Sequence, residues 1–275
     1  MVRLGVMRLV AVLGLMASTA PVLAAERIVS LNLCTDQLLV LLADRDQIAS
    51  LSFLAADPDL SYVADRIEGI PLNHGRLEEI LPLEPDLVLA GAFAARPAVR
   101  LLESLDVPII DLPLAEDFDT IAEQTRIVAS AVGYEDRGEA LVAEMEAILR
   151  GLTPDLSGDT ALVYQANGFT AGSGTLADSV LAAAGIINQA AQSGVQGYGF
   201  LPLERLIADP PTILIAANAL PGRPSLADAL LTHPALAALD SETRYLALPS
   251  ALLACGGPQT AEAAQLLADA LTATP

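Results

Sequence analysis

The residue types that could carry chemistry are few in this chain of 275 residues, which has two histidines, two cysteines and no lysine. Without lysine there can be no Walker A lysine, no lysine Schiff base and no Ser–Lys dyad. Neither a G-x-S-x-G nucleophile elbow nor an H-E-x-x-H zinc motif occurs in the sequence. A secreted hydrolase is therefore the weaker alternative, and the sequence indicates a protein that is not an enzyme.

The charge of the chain excludes two further classes of partner. It carries 34 acidic and 14 basic residues, which gives a formal net charge of −20. So acidic a surface repels phosphate backbones and anionic headgroups, and we expect no nucleic acid and no membrane surface as partner. The histidines, His74 and His233, lie far from each other and from the cysteines in sequence, so no dedicated metal site and no cofactor are expected.

Residues 1–24 have the pattern of a cleaved export signal. Arg3 and Arg8 give the segment a positive start, a short apolar run follows, and the segment ends in small residues at Ala24. The apolar run is too short to cross about 30 Å of hydrocarbon. We therefore expect an exported, soluble chain that is cleaved after Ala24 or Ala25.

Cys34 and Cys255 are the only cysteines. In an exported protein an even number of cysteines favours a disulfide. The sequence therefore predicts a bond between them, while two reduced thiols or thiolate ligation of a metal stay open as alternatives.

Short apolar runs without alternation predict buried parallel strands. They lie at 28–31, 87–90, 107–110, 161–164, 213–217 and 245–248. Helical patterns separate them, and this alternation predicts an α/β fold. The stretch 117–152 shows only helical periodicity, and a helix from Glu135 to about Arg150 would be roughly 24 Å long, enough to bridge two lobes.

An internal repeat supports the division into two lobes. LEEILPLEPDLVLA at 77–90 aligns without a gap with LERLIADPPTILIA at 203–216. Each copy has the pattern of a short helix, a proline turn and a buried strand, and Glu78 and Glu204 occupy the same position in the two copies. Such a repeat predicts two similar structural units.

Ligands of open α/β sheets bind beyond the carboxyl ends of the strands. The polar and aromatic residues that follow the predicted strands are therefore the candidates for a ligand-binding site. They are Asn32, Cys34, Thr35, Asp36, Phe53, His74, Arg76 and Phe93 in the first half, and Gln165, Asn167, Phe169, Tyr198, Phe200, Asn218 and Arg223 in the second. The aromatic members suit a large, partly apolar ligand.

Taken in order, these segments resemble the class III periplasmic binding proteins, which serve importers of iron–siderophore complexes, haem and vitamin B12. The resemblance rests on RIVSLNLCTDQLLVLLA at 27–43, LEEILPLEPDLVLAG at 77–91, VPIIDLP at 107–113, the helical segment 117–150, GSGTLADSVLAAAGIIN at 172–188, LERLIADPPTILIA at 203–216 and ACGGP at 254–258.

The resemblance implies an α/β fold with two lobes, each with a mostly parallel sheet flanked by helices, joined by a single rigid linker helix. We accordingly expect a signal peptide at 1–24, an N-terminal lobe at 25–134, a linker helix at 135–151 and a C-terminal lobe at 152–275. A monomer in the periplasm is implied as well.

The resemblance also implies a function, that of the periplasmic substrate-binding component of an ABC importer. Such a protein captures a metal chelate between its lobes and delivers it to a dimeric permease in the inner membrane. A ferric siderophore or a related chelate such as haem is the expected ligand, and cobalamin is the alternative. One acidic residue on each lobe docks onto arginines of the permease, and Glu78 and Glu204 fall at those positions.

We expect the mature chain to begin at Ala25 or Glu26, because signal peptidase cleaves after small residues. N-terminal sequencing of protein from a periplasmic extract checks this expectation. A retained Met1, or recovery of the protein only in the membrane fraction, would contradict it.

Overall fold

The structure, a computed structural model, describes residues 24–94, 96–153, 158–216, 231, 233–237, 239 and 243–272. The first 23 residues of the expected signal peptide, together with Asn218 and Arg223, lie outside these ranges. Within these ranges no helix is both long enough and apolar enough to cross a membrane.

Five strands form the sheet of the N-terminal lobe: β1 (Ile28–Ser30), β2 (Ile48–Ser52), β3 (Leu72–Asn73), β4 (Leu87–Gly91) and β5 (Ile109–Leu112). They are parallel and follow the order β3-β2-β1-β4-β5. The helices α1 (Leu33–Leu42), α2 (Leu77–Ile80) and α3 (Arg96–Ser104) connect them. All residues of β1 and β4 are buried, as expected for central strands with a hydrophobic core on each face.

Two helices then run between the lobes, α4 (Phe118–Val132) and α5 (Glu135–Gly151). Asp117 caps the start of α4, because its carboxylate accepts the N–H of Thr120 at 2.7 Å. Gly133 ends α4 in the left-handed conformation, with φ of 81°, and the chain reverses into α5. The long helix predicted from Glu135 is therefore present.

Both helices contact both lobes. Val128 of α4 lies in the core of the N-terminal lobe, whereas Ile121 lies in the core of the C-terminal lobe. Leu141 of α5 packs against the N-terminal core and Met145 belongs to the C-terminal one. The expected linker helix is thus one member of an antiparallel pair. The exact limits of the lobes, at 25–134, 135–151 and 152–275, stay a prediction.

The described part of the C-terminal lobe contains six strands: β6 (Thr160–Tyr164), β7 (Phe169–Ala171), β8 (Ile187–Asn188), β9 (Tyr198–Phe200), β10 (Ile213–Ala216) and β11 (Arg244–Leu246). Four of them form a parallel sheet in the order β11-β10-β6-β8, and β7 pairs with β9 as an antiparallel ribbon. Its helices are α6 (Leu176–Ala183), α7 (Gln189–Gln192), α8 (Leu203–Ala208), α9 (Pro234–Ala237) and α10 (Thr260–Thr272). Two mostly parallel sheets flanked by helices confirm the predicted fold class.

The two copies of the repeat have the same local structure. In the first, α2 and a 3₁₀ turn lead into β4, which pairs with β1, the first strand of its sheet. In the second, α8 leads into β10, which pairs with β6, the first strand of the other sheet. Glu78 and Glu204 each lie in the first turn of their helix.

Cys34 and Cys255 form a disulfide, with their Cα atoms 5.1 Å apart and a sequence separation of 221 residues. Cys34 lies in the first turn of α1, and Cys255 lies in the C-terminal lobe shortly before α10. The bond therefore joins the two lobes, and the alternatives of free thiols and thiolate ligation do not apply to this structure.

Candidate ligand-binding site

The chain passes from β1 into α1 through a tightly bonded turn. Asn32 is the N-cap of α1, and its side-chain oxygen accepts the N–H of Cys34 at 2.8 Å. The hydroxyl of Thr35 donates to the carbonyl of Asn32 at 2.9 Å and lies 2.8 Å from the hydroxyl of Ser30. A Cβ at Gly91 would come within 2.9 Å of the Asn32 side chain, so only glycine lets β4 approach this turn. The turn is therefore held rigidly at the carboxyl end of β1.

A cavity that opens to solvent lies between the lobes at this turn. The N-terminal lobe and the connection into α4 contribute Asn32, Cys34, Thr35, Leu38, Gly91, Ala92, Phe93, Leu112, Pro113, Leu114, Ala115 and Gln124. The C-terminal lobe contributes Leu176, Tyr198, Leu253, Ala254, Cys255 and Gly256.

None of the described residues that line this cavity carries a formal charge at neutral pH. Arg96, in a neighbouring depression, is held by an ion pair with Asp111 and donates to the carbonyl of Gly91 at 3.1 Å. Partial burial raises the pKa of the Tyr198 phenol above 10, and the nearby carboxylate of Glu116 raises it further, so this phenol stays neutral. The described wall offers amides, two hydroxyls and apolar surface, but no free cation.

Aromatic side chains stand exposed on both sides of the cavity. Phe93 of the N-terminal lobe is 77% exposed and Tyr198 of the C-terminal lobe is 53% exposed, and both line the cavity. On the β7–β9 ribbon, Phe169 stacks on Tyr198 at 5.9 Å and meets Phe200 edge-on at 5.6 Å. Aromatic surface held open to water in this way is typical of a ligand-binding face.

Three predicted residues form a separate group on the N-terminal lobe and do not line the cavity. The rings of Phe53 and His74 stack with their centroids 5.1 Å apart. Glu79 accepts the backbone N–H of His74 at 2.6 Å and lies 3.3 Å from its Nδ1. The backbone N–H of His74 lowers the pKa of the Glu79 carboxyl, which therefore stays ionised. Arg76, exposed, precedes α2 as its N-cap residue.

Two further predicted residues shape the turn that leads into the aromatic ribbon. Gln165 donates its backbone N–H to the carbonyl of Phe169 at 2.9 Å. Asn167 is exposed and adopts the left-handed conformation with φ of 57°, which asparagine tolerates. These residues position Phe169 and do not line the cavity.

Asp36 lies one turn further into α1 and points into the N-terminal lobe. Its carboxylate is fully buried, and it accepts the backbone N–H of Ser52 at 3.0 Å and the hydroxyl of the same residue. Burial raises the pKa of Asp36 from 3.8 to about 7, although the hydrogen bonds of Ser30 and Ser52 oppose this shift. Asp36 therefore ties α1 to the end of β2 and does not line the cavity.

Sequence reasoning missed one wall of the cavity. This wall is formed by Leu112, the last residue of β5, and by the loop 113–115 that follows it. Gln124 of α4 bonds to this loop by donating to the carbonyl of Pro113 at 2.9 Å. The rule that ligands lie beyond strand ends applies to this loop as well. It was not found because the apolar run at 107–110 places the end of the strand two residues before its actual end at Leu112.

Comparison with known proteins agrees with this geometry. Residues 28–241 match the family model described as periplasmic binding protein. A periplasmic haem-binding protein of Roseiflexus sp. RS-1 is 29% identical, with a TM-score of 0.72 over 90% of this chain and 98% of that one. A periplasmic vitamin B12 binding protein of Vibrio cholerae is 19% identical, with a TM-score of 0.65 over 90% and 96% of the two chains, and this likeness shows the fold.

Among curated proteins, a cobalamin-binding protein of Halobacterium salinarum is 26% identical over 196 residues. The matched region is 69% of this chain and 53% of that relative. The chain thus spans about half the length of the curated relative that it matches.

We expect Asp36→Asn to stabilise the protein by an amount that grows as the pH rises from 4 to 7. The Asp36 carboxyl has a pKa of about 7 in the folded protein and 3.8 in the unfolded chain. Between these pH values the folded protein therefore binds a proton that the unfolded chain has released. The stability of the wild type therefore falls as pH rises, by up to about 1.4 kcal/mol per pH unit, whereas Asn has no proton to lose. Urea unfolding at pH 4, 5, 6 and 7 measures the difference. The exposed control Asp46→Asn should show no such trend, and a constant difference for Asp36→Asn would contradict the assignment.

Proposed function

Because the chain belongs to the periplasmic binding protein family, we propose that it is the substrate-binding component of an ABC importer and captures a bulky, largely uncharged metal chelate between its lobes. It would act as a monomer in the periplasm. The ligand that we propose first is cobalamin.

The uncharged described lining of the cavity, with aromatic side chains on both sides, supports this choice most strongly. Cobalamin is bulky and mostly neutral, so it needs flat apolar contacts and a few hydrogen bonds rather than a counter-ion. Phe93 and Tyr198 supply the contacts from opposite lobes, and Asn32 and Gln124 place amide groups on the wall. The name of the curated relative points to the same ligand.

Ferric siderophores, which the sequence ranks first, fit the described cavity less well. Their complexes often carry charge, and an anionic one needs a free cation in the cleft. Arg96 is engaged with Asp111, and Arg76 does not line the cavity. Because the described lining offers no free cation, we rank cobalamin above the ferric siderophores, which reverses the order expected from the sequence.

Haem is a second candidate, because one histidine of the N-terminal lobe, outside the described lining of the cavity, is arranged as metal-binding histidines are. Glu79 holds Nδ1 of His74, the ring stacks on Phe53, and Nε2 has no partner among the described residues. A carboxylate behind the ring fixes the orientation of the imidazole. The Roseiflexus neighbour is a haem-binding protein by name.

Isothermal titration with cyanocobalamin, haem, a ferric hydroxamate and a ferric catecholate tests the choice of ligand. We expect one-to-one binding of cyanocobalamin and at least about tenfold weaker binding of the anionic siderophore complexes. Tyr198→Ala and Phe93→Ala should each weaken cyanocobalamin binding by more than about 1 kcal/mol, because each removes a buried aromatic contact. Tyr198→Phe keeps the ring and should bind nearly as the wild type does.

The same titration can also favour haem over cobalamin or exclude the cleft. Tight haem binding that His74→Ala abolishes, together with a changed Soret band, would favour haem over cobalamin. Failure of all four ligands would contradict the assignment of the cleft.

We also propose that Glu78 and Glu204 dock the two lobes onto basic sites of the permease. Both side chains are exposed, and both lie in the first turn of a helix at equivalent positions of the repeat. Neither forms an ion pair within the described residues, whereas Glu79 beside Glu78 is bonded to His74. Free carboxylates at matching positions of two lobes suit a dimeric partner with two positive pockets.

Reversing both charges, with Glu78→Arg and Glu204→Arg, should abolish transport in a reconstituted importer. Ligand affinity and melting temperature should stay unchanged, because exposed acids contribute little to stability. Each single change should give a partial loss that is larger at low salt, where repulsion is less screened.

The matched control reverses two other exposed acids, with Glu103→Arg and Glu123→Arg, and changes the net charge by the same amount. It should transport normally. Full transport by the Glu78→Arg, Glu204→Arg protein would show that these acids are not docking residues.

A further inference from the structure

We infer that the Cys34–Cys255 disulfide is a positioning element of the ligand site, which holds the two lobes at the separation where both line one cavity. This inference rests on the proposed function, because it assigns a role within the same cleft. It goes beyond the existence of the bond, since a disulfide elsewhere would stabilise the chain without affecting ligand affinity.

The bond lies in the cavity itself. Both cysteines line it, together with Asn32 and Thr35 on one side and Ala254 and Gly256 on the other. A ligand in the cleft therefore lies against the bond that joins its two walls.

Each end of the bond is anchored firmly in its own lobe. Asn32 holds the N–H of Cys34 at the start of α1. On the other side the hydroxyl of Thr260 donates to the carbonyl of Cys255 at 3.3 Å and accepts the N–H of Gly257 at 3.2 Å. Because neither cysteine sits on a loose loop, the bond transmits its constraint to the lobes.

Two polar contacts between the lobes continue from the disulfide along α1 and α10. Gln259 donates to Gln37 at 3.1 Å, and the hydroxyl of Tyr62 lies 2.8 Å from Glu262. The buried amide pair is incompletely bonded, since Nε2 of Gln37 and Oε1 of Gln259 have no partner among the described residues. Hydrogen bonds between the lobes add little net stability, because the same groups bond to water when the lobes separate, so the covalent bond carries the constraint.

The disulfide joins the lobes at a place that the helix pair does not reach. The antiparallel pair α4 and α5 joins the lobes through their cores, and the disulfide joins them a second time in the cleft. Two separate attachments leave the two lobes little freedom to move apart. A ligand then meets walls already in place and does not have to order the lobes, which favours binding.

Reduction offers a reversible test in the wild-type protein. A dithiol such as dithiothreitol attacks one sulfur, the S–S bond breaks, both cysteines become thiols and the reductant becomes a cyclic disulfide. After the reductant is removed without air, the dissociation constant for cyanocobalamin should be about tenfold higher, because the ligand must now order the lobes itself. Reoxidation should restore the original value.

Variants separate this role from plain stabilisation. Cys34→Ser with Cys255→Ser should show the raised dissociation constant and no response to reductant. Leu267→Ala removes a buried side chain of α10 that does not line the cavity, and it should lower the melting temperature without changing the dissociation constant. Circular dichroism must show folded protein at the temperature of every titration, and thiol counts must rise from zero to two on reduction.

A measurement without ligand keeps the two proposals apart. Small-angle X-ray scattering of the unliganded protein should give a larger radius of gyration after reduction and in the serine variant. If the oxidised protein binds none of the four chelates, the proposed function fails, and unchanged scattering would then overturn the positioning role as well. If the oxidised protein binds cyanocobalamin and the reduced, folded protein binds it equally tightly, the inference is wrong.

Discussion

The packing of α4 against α5 determines how the two lobes face each other. A Cβ at Gly138 would lie 2.5 Å from the Cβ of Ala129, so the glycine allows the two helices to approach closely. Each helix buries side chains in both cores, and a change of the angle between the lobes would disturb close-packed contacts at both ends. The cleft is therefore a consequence of helix packing before any ligand is considered.

The electrostatics of the molecule and of its cavity differ. The chain carries a net charge of −20, yet the described residues that line the cavity are uncharged. Among the described acidic residues only Asp36 is buried, so the negative charge of the described chain lies at its surface. An anionic ligand would lose its water at the described wall without gaining a free cation there. The described wall therefore agrees with the uncharged ligand that we propose.

Sequence patterns predicted the central strands well and the peripheral ones poorly. The runs at 28–31 and 87–90 correspond to β1 and β4, because strands buried on both faces are apolar throughout. β5 is only partly buried, and the apolar run that predicts it begins and ends two residues before the strand itself. The loop after β5, which lines the cavity, was therefore missed. β3 and β8 have two residues each and are too short for any periodicity. Asp36 follows the first strand as Asn32 does, but its position on the inner face of α1 buries it, and strand ends alone cannot reveal that.

The repeat connects the cavity with the proposed docking acids Glu78 and Glu204. In its first copy Glu78 lies at the exposed start of α2, and β4 ends at Gly91, which lines the cavity. The second copy places Glu204 at the start of α8, ahead of β10. Each acid is thus attached to a strand of its own sheet, and the distance between the acids is set by how the lobes are held together. In our proposal the helix pair and the disulfide together set two distances, that between the walls of the cavity and that between the two proposed docking acids. A permease with two fixed basic pockets can use that second distance only in a protein whose lobes do not drift apart, which gives the cleft disulfide a consequence on the outer surface as well as in the cavity.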